Sequence, residues 1–178
     1  MWRELPHDKP AARALIRAGR RARPPHERAG DDLALAGHLR DLLGGTPPGH
    51  VAAYDALPTE PPTRAMVELL GHTGWRVMMP ILLPDNDLGW DDGNSHDPSY
   101  VSGASLLIVP ALAVDRRGMR LGQGGGSYDR ALHRRSPGAL VLAVVYDDEL
   151  ADVVPSEPHD LAVDAVLTPR AGVRHLTE

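Results

Sequence analysis

The sequence predicts an α/β fold. It is read as three layers, α/β/α, around a mostly parallel (mixed) central sheet of Rossmann-like type, in a single domain over residues 1–178. Three observations carry this. Apolar spacing alternates along the chain between helical and strand periods. The runs Ser105 to Val109 and Ala139 to Val145 are continuously apolar and rich in Val, Ile and Leu, as in strands covered on both faces. A length of 178 residues suits one core, and no internal repeat divides it.

The elements follow in order. Asp8 can cap a helix running to about Arg23, and Pro24-Pro25 stops it. Asp31 or Asp32 opens a second helix carrying Leu33, Leu35, Leu39, Leu42 and Leu43, closed by Gly44-Gly45. His50 to Tyr54 reads as a short buried strand, and Pro61-Pro62-Thr63 starts a helix that ends near Gly71. Trp75 to Met79 is a strand, Ser127 to Arg135 a helix, and Asp164 to Thr168 a last short strand. Between Pro80 and Gly103 the periodicity fails, and Pro84 to Ser99 is turn chemistry throughout. Residues 84–103 are therefore expected to form a long, mobile lid loop.

Composition removes whole classes of function. There is no Cys, so disulfides, thiolate zinc sites and a cysteine nucleophile are excluded. No apolar run approaches the ~20 residues of a membrane span, and the start lacks the apolar core of a signal peptide, so a cytoplasmic location is expected. A net charge of -5 argues against a general nucleic-acid binder. A small molecule is the expected partner, with the chain a monomer or weak homodimer.

The charges are segregated. Up to Arg28 there are eight basic residues against Glu4, Asp8 and Glu27, while Tyr146 to Pro169 holds seven acids and no Lys or Arg. The basic cluster is either a solvated helix face or a site for a polyanion such as a nucleotide triphosphate. Lys9 is the single lysine of the chain; under a bias towards Arg it is either a chance survivor or a needed residue.

The chemistry concentrates between Val109 and Arg130. A strand leads to the basic turn Arg116, Arg117 and Arg120, then to Gly122-Gln123-Gly124-Gly125-Gly126, then to a helix start at Ser127. Glycines let a ligand approach the backbone, and backbone N–H groups beside a helix start can cradle phosphate. Guanidinium groups, Arg130 included, add directional phosphate contacts. No Gly-Lys-Ser/Thr follows, so this is not a P-loop, and it fits neither a dinucleotide fingerprint nor a serine-hydrolase elbow.

Read whole, Arg120-Leu-Gly-Gln-Gly-Gly-Gly-Ser-Tyr-Asp-Arg130 resembles the signature of the 5-formyltetrahydrofolate cyclo-ligase (methenyltetrahydrofolate synthetase) family. Pro110, Ala113, Asp115 and Gly118 fill the places that precede it. Other blocks are similar and in order: Lys9-Pro-Ala-Ala-Arg13, Glu60-Pro-Pro-Thr63, Met79-Pro80, and Pro155-Ser-Glu-Pro-His-Asp160 followed by Asp164 and Thr168.

The resemblance implies ATP- and Mg²⁺-dependent conversion of 5-formyltetrahydrofolate, with or without a polyglutamate tail, into 5,10-methenyltetrahydrofolate, releasing ADP and phosphate. It implies attack of the formyl oxygen on the γ-phosphate, then ring closure by N10. Such a reaction needs in-line positioning and cations more than acid–base groups. By position, Lys9, Arg13, Arg120 and Gly122 to Tyr128 would hold ATP, with Arg120 and Tyr128 at the reacting groups. Asp55, Glu60 and Gln123 to Ser127 (Gln123, Gly124, Gly125, Gly126, Ser127) would face the folate, and Asp129 and Asp164 would serve Mg²⁺. Asp55 reads equally as a turn residue. Arg17 and Arg20 read as surface charges, so Lys9→Arg is expected to impair ATP use more than Arg17→Lys or Arg20→Lys. His159 and Asp160 are expected to order the C-terminal loop, with no metal role for His159.

Three departures from the family pattern stand out. Ser127 replaces the first Tyr of the Tyr-Tyr-Asp block, and Asp148-Glu149 is acidic where the family often keeps an amide or other polar residue. The interval from Trp90 to Val101 is short and lacks a Gly-Ile-x-Glu-Pro block. Trp90 either anchors this loop or stacks on the pterin. The short interval leaves open a second reading, a non-catalytic or altered nucleotide/folate-binding homologue with a shortened lid. A sugar-phosphate or dinucleotide enzyme on a similar fold is the third.

Overall fold

The computed structural model describes residues 2–176. Helix α1 spans Lys9–Arg21, and the Asp8 carboxylate caps it by accepting from the Ala11 N–H at 2.9 Å. Helix α2 spans Glu27–Leu43 and so starts before the expected Asp31 or Asp32. Asp32 caps the next helix instead, accepting from the Ala65 N–H at 3.1 Å. In order there follow β1 (His50–Ala52), α3 (Arg64–His72), β2 (Arg76–Leu82), β3 (Leu88–Asp91) and β4 (Ser95–His96). Next come a short 3-10 helix (Pro98–Gly103), β5 (Leu106–Pro110), β6 (Ala113–Asp115) and β7 (Arg120–Leu121). The chain ends through α4 (Ser127–His133), β8 (Leu140–Val144), β9 (Leu150–Ala151), β10 (Ala165–Thr168) and β11 (Gly172–His175).

Eight strands form the main sheet, in the order β11-β10-β8-β5-β1-β2-β3-β4. The inner strands β10, β8, β5, β1 and β2 run parallel, while β11, β3 and β4 join antiparallel at the ends. Strand alternation sends Val51, Leu106, Ile108, Leu142, Val144 and Leu167 to the face covered by Leu35 and Leu39 of α2 and Met66 and Leu70 of α3. It sends Ala52, Leu107, Val109, Val141, Ala143 and Val166 to the face covered by Ala131 and Leu132 of α4. The mixed three-layer α/β arrangement is thus as predicted. A small sheet, β7-β6-β9, continues from the end of β5 and packs on Ala12 and Ile16 of α1.

Residues 84–103 do not form one long loop. β2 turns back into β3 with register Met79↔Asp91 and Leu82↔Leu88, and β3 pairs β4. The turn residues make two tight turns, Asp85 to Asp87 and Asp92 to Asn94, rather than one long loop: Asp85 accepts from the Asp87 N–H and Asp91 from the Gly93 N–H. Trp90 and Val101 are fully buried in the core, so Trp90 is an anchor and does not stack on a ligand. Arg134 forks onto both Asp87 carboxylate oxygens at 2.8 and 2.6 Å, and Arg130 donates to the Asp85 carbonyl, fastening the hairpin to α4.

The far end of the hairpin is closed by Asp92, whose enclosed carboxylate accepts from His96 Nε2 (2.9 Å), Tyr100 Oη (2.8 Å) and Arg76 Nε (2.5 Å). The hydrogen bonds from His96, Tyr100 and Arg76 hold its carboxyl far below the usual carboxylate range. A depressed folded pKa adds stability that is full above the unfolded value of about 3.9 and is lost progressively as pH falls from there towards the folded value. Chemical denaturation of the parent between pH 5 and pH 3 is expected to fall more steeply than that of Asp92→Asn; parallel acid limbs would contradict this.

Candidate active site

A cavity of about 960 Å³ opens where β1, β2 and β5 end, between α1 and the glycine loop. The carboxyl ends of parallel strands are the usual ligand site of such sheets, and this volume lies at the upper end of the ~300–1,000 Å³ typical of small-molecule pockets. Its lining brings together Lys9, Arg13, Asp55, Glu60, Arg120, the loop Gly122 to Ser127, Tyr128 and Asp129, every sequence-assigned site residue but one.

The exception is Asp164. It lies at the amino end of β10, the opposite end of the sheet, where it is exposed and its Oδ2 accepts from the Val141 N–H at 2.7 Å. The assignment of Asp164 to Mg²⁺ is therefore corrected. The carboxylate that the C-terminal block does bring to the cavity is Asp160. Asp160 also orders its own loop, as expected: its Oδ2 accepts from the Glu157 N–H at 2.7 Å and from Lys9 Nζ at 3.0 Å. Burial opposes ionisation of Asp160, but the Glu157 N–H and the Lys9 ammonium outweigh it and hold the carboxyl below its ordinary range. His159 stays exposed on the same turn, 3.2 Å from Glu157.

Asp55 and Glu60, the acids that the resemblance assigns to the folate, sit on a closed turn after β1. Thr63 Oγ1 donates to the Tyr54 carbonyl at 2.7 Å and accepts from the Ala56 N–H. Glu60, nearly buried, accepts from the Leu57 N–H at 2.9 Å through Oε2. That is the physical content of a Glu three residues before a Thr: both side chains tie the turn to itself. Asp55 stays exposed at the rim.

The glycine loop needs glycine where φ is positive, at Gly124 (109°) and Gly126 (74°), the latter being the N-cap of α4. A Cβ on Gly124 would lie 3.4 Å from the Arg13 guanidinium carbon, so the bare backbone lets that cation close on the loop. Arg13 Nε donates to the Gly122 carbonyl at 2.9 Å. Arg120 is buried, its Nη2 lies 2.5 Å from Asp129 Oδ1, and its Nε has no hydrogen-bond partner among the described residues. Asp129 thus pairs with Arg120 rather than capping α4. Tyr128 is pushed well above the usual phenol range by burial and by the nearby Glu60 carboxylate.

Several cations leave the site. Arg116 pairs with Asp152 and lies over the Trp2 ring, and Arg117 pairs with Asp115. Arg20 is no surface charge: it is buried against Glu149, with Nε–Oε1 at 2.7 Å. Arg17 is exposed, yet it engages Gln123 of the glycine loop. Because Arg20 is buried in its ion pair with Glu149, Arg20→Lys is unsuitable as a neutral control for Lys9→Arg.

The profile of the 5-formyltetrahydrofolate cyclo-ligase family matches residues 6–169. The chain belongs to this family. It is 37% identical to the 5-formyltetrahydrofolate cyclo-ligase of Mycolicibacterium smegmatis, over 94% of this chain and 97% of that one. That alignment runs over 191 positions, more than the 178 residues present here, so the relative holds segments that this cyclo-ligase lacks. The fold matches the 5,10-methenyltetrahydrofolate synthetase of Mycoplasma pneumoniae with a TM-score of 0.78 at 23% identity, covering 89% of this chain and 97% of that one. It matches that of Aquifex aeolicus with a TM-score of 0.77 at 22% identity, covering 96% and 93%.

Proposed function

We propose that this cyclo-ligase converts 5-formyltetrahydrofolate into 5,10-methenyltetrahydrofolate at the expense of ATP, with Mg²⁺ as the metal. The observation that carries the reading is one cavity lined by the cations Lys9, Arg13 and Arg120, by the glycine loop, and by the acids Glu60 and Asp55. The residues fit the nucleotide: Arg120 Nε is a buried donor without an acceptor, and Arg13 meets only a carbonyl. They also fit Mg²⁺, which favours hard oxygen donors, because the carboxylates of Asp129 and Asp160 both line the cavity and both act on the Arg120 charge. Asp129 and Asp160, not Asp164, would hold the metal.

ATP supplies the phosphoryl group that turns the formyl oxygen into a leaving group. The chain supplies position and charge. Arg120 and Lys9 bring cations to where negative charge develops, and the loop N–H groups hold the phosphate chain without side-chain obstruction. Glu60 accepts from the pterin N–H groups. Tyr128, protonated, donates and abstracts nothing. Leu57 and Leu82, both largely exposed, give the folate end of the cavity an apolar rim.

The direct test mixes protein, ATP, Mg²⁺ and 5-formyltetrahydrofolate and follows methenyltetrahydrofolate by near-UV absorbance. Folate and ATP binding without turnover would favour instead the non-catalytic homologue that the short 90–101 interval suggests.

Lys9→Arg is expected to raise KM for ATP about tenfold, the worth of one charge-assisted hydrogen bond. The Lys9 ammonium lies 3.0 Å from Asp160 and 3.4 Å from Glu157, a compact bridge that a planar guanidinium does not reproduce. Unchanged ATP kinetics would make the lysine a relic of composition.

A further inference from the structure

Apart from the exposed Arg21, the cations of α1 are of two kinds. Lys9 and Arg20 meet carboxylates, at Asp160 and Glu149. Arg13 and Arg17, one turn apart between them, form no ion pair among the described residues. Both donate instead to neutral acceptors of the glycine loop. Arg17 donates through Nε and Nη2 to Gln123 Oε1, at 3.2 and 2.7 Å, and through Nη2 to the Gln123 carbonyl at 3.3 Å.

A primary amide has one acceptor end and one donor end, while a guanidinium has donors only. Arg17 therefore holds the oxygen of Gln123, and the amide nitrogen must point the other way. There Nε2 donates to Glu60 Oε1 at 3.4 Å. If the amide turned over, its oxygen would face the Glu60 carboxylate, an unfavourable meeting of two acceptors.

We propose that Arg17 is a positioning residue for the folate half of the site. It sets the flip of Gln123, so that an NH₂ donor stands beside the Glu60 acceptor. A donor next to an acceptor complements the pterin edge, where a carbonyl oxygen neighbours N–H groups. As the pterin takes Glu60, the Gln123 NH₂ is released to the substrate oxygen, and Arg17 keeps it aimed. The inference rests on reading this cavity as a 5-formyltetrahydrofolate site.

The test uses Arg17→Met, which keeps the stem and removes the donors. Calorimetry of the full chain with 5-formyltetrahydrofolate alone should show about tenfold weaker binding, with a matching rise in folate KM, as for one lost charge-assisted contact. ATP affinity, kcat and thermal midpoint should stay at parent values. Arg17→Lys should recover part of the loss, since an ammonium offers a single point contact. In a Gln123→Ala background, Arg17→Met should weaken folate binding no further. Parent-like folate binding by Arg17→Met, an undiminished effect in the Gln123→Ala background, or a loss falling on ATP would each overturn the proposal while leaving the folate reading intact. A parent chain that binds no 5-formyltetrahydrofolate would sink the folate reading and this inference together.

Discussion

Arg120→Met is expected to lower turnover by roughly a thousandfold or more, the effect of removing an arginine that takes up charge during phosphoryl transfer. The site concentrates this dependence on one residue. Of the arginines around the glycine cluster, Arg116, Arg117 and Arg130 are engaged with Asp152, Asp115 and the Asp85 carbonyl. Arg120 alone of these four lines the cavity, with 4% of its side chain exposed and its Nε unpartnered. A cation held in a dry wall costs no reorganisation when charge develops beside it. Burial pulls the Arg120 pKa down, and Asp129 and Asp160 oppose that pull. Arg120→Lys should recover little, because a single ammonium cannot hold Asp129 and reach the cavity together. Single-turnover formation of the methenyl product, with circular dichroism to confirm folding, reads the effect. A loss under about tenfold would remove Arg120 from the reacting centre.

Glu149→Ala is expected to destabilise the fold by about 3–5 kcal/mol, the cost of leaving a buried partner charge uncompensated. For a chain of this length that is a fall in thermal midpoint of about 10 °C or more. Glu149 and Arg20 are 2% and 3% exposed, and the guanidinium forks onto both carboxylate oxygens at 2.7 and 2.8 Å. The pair also organises the site. Arg20 Nη2 donates to the Ala111 carbonyl at 2.7 Å in the cavity wall, and Glu149 Oε2 accepts from the Tyr146 N–H. Tyr146 Oη in turn donates to the Glu60 carbonyl at 3.2 Å, a carbonyl that Arg28 also holds. Replacing both members, Arg20→Met with Glu149→Leu, should cost less than Glu149→Ala alone, because no charge is left stranded. Scanning calorimetry of the two variants checks the order; the reverse order would mean that the Ala111 contact outweighs the ion pair.

The charge segregation has its explanation here. The basic N-terminal stretch and the acidic stretch from Tyr146 onward are partners: Arg20 meets Glu149, Arg23 meets Asp148, and Lys9 meets Asp160 and Glu157. Neither a wholly solvated helix face nor a wholly polyanion-binding face describes α1. Its 3.6-residue period sends Arg20 inward with Ala12 and Ile16, while Lys9 and Arg13 reach the cavity and Arg17 stays on the exposed side of the glycine loop.

Read by itself, the sequence determined the layers and the glycine loop that lines the cavity. Continuous apolar runs declare strands buried on both faces, proline pairs and capping acids declare helix ends, and glycines at positive φ declare a backbone that a ligand can approach. Those signals are local, so they survive without knowledge of neighbours. What only the tertiary structure decided is non-local. The turn residues after Pro80 read as a loop because Asp, Asn and Gly carry the same local signal in a hairpin turn; the burial of Trp90 and the Arg134–Asp87 fork make it a hairpin. Asp160 and Asp164 are four residues apart in one acidic block, and each could serve a metal by composition. The main sheet separates them, because Asp164 stands at the amino end of β10 and Asp160 in the loop that returns to the cavity at the carboxyl ends of its neighbours. Which carboxylate faces the ligand depends on strand direction and on where the chain re-enters, and no spacing along the sequence records either.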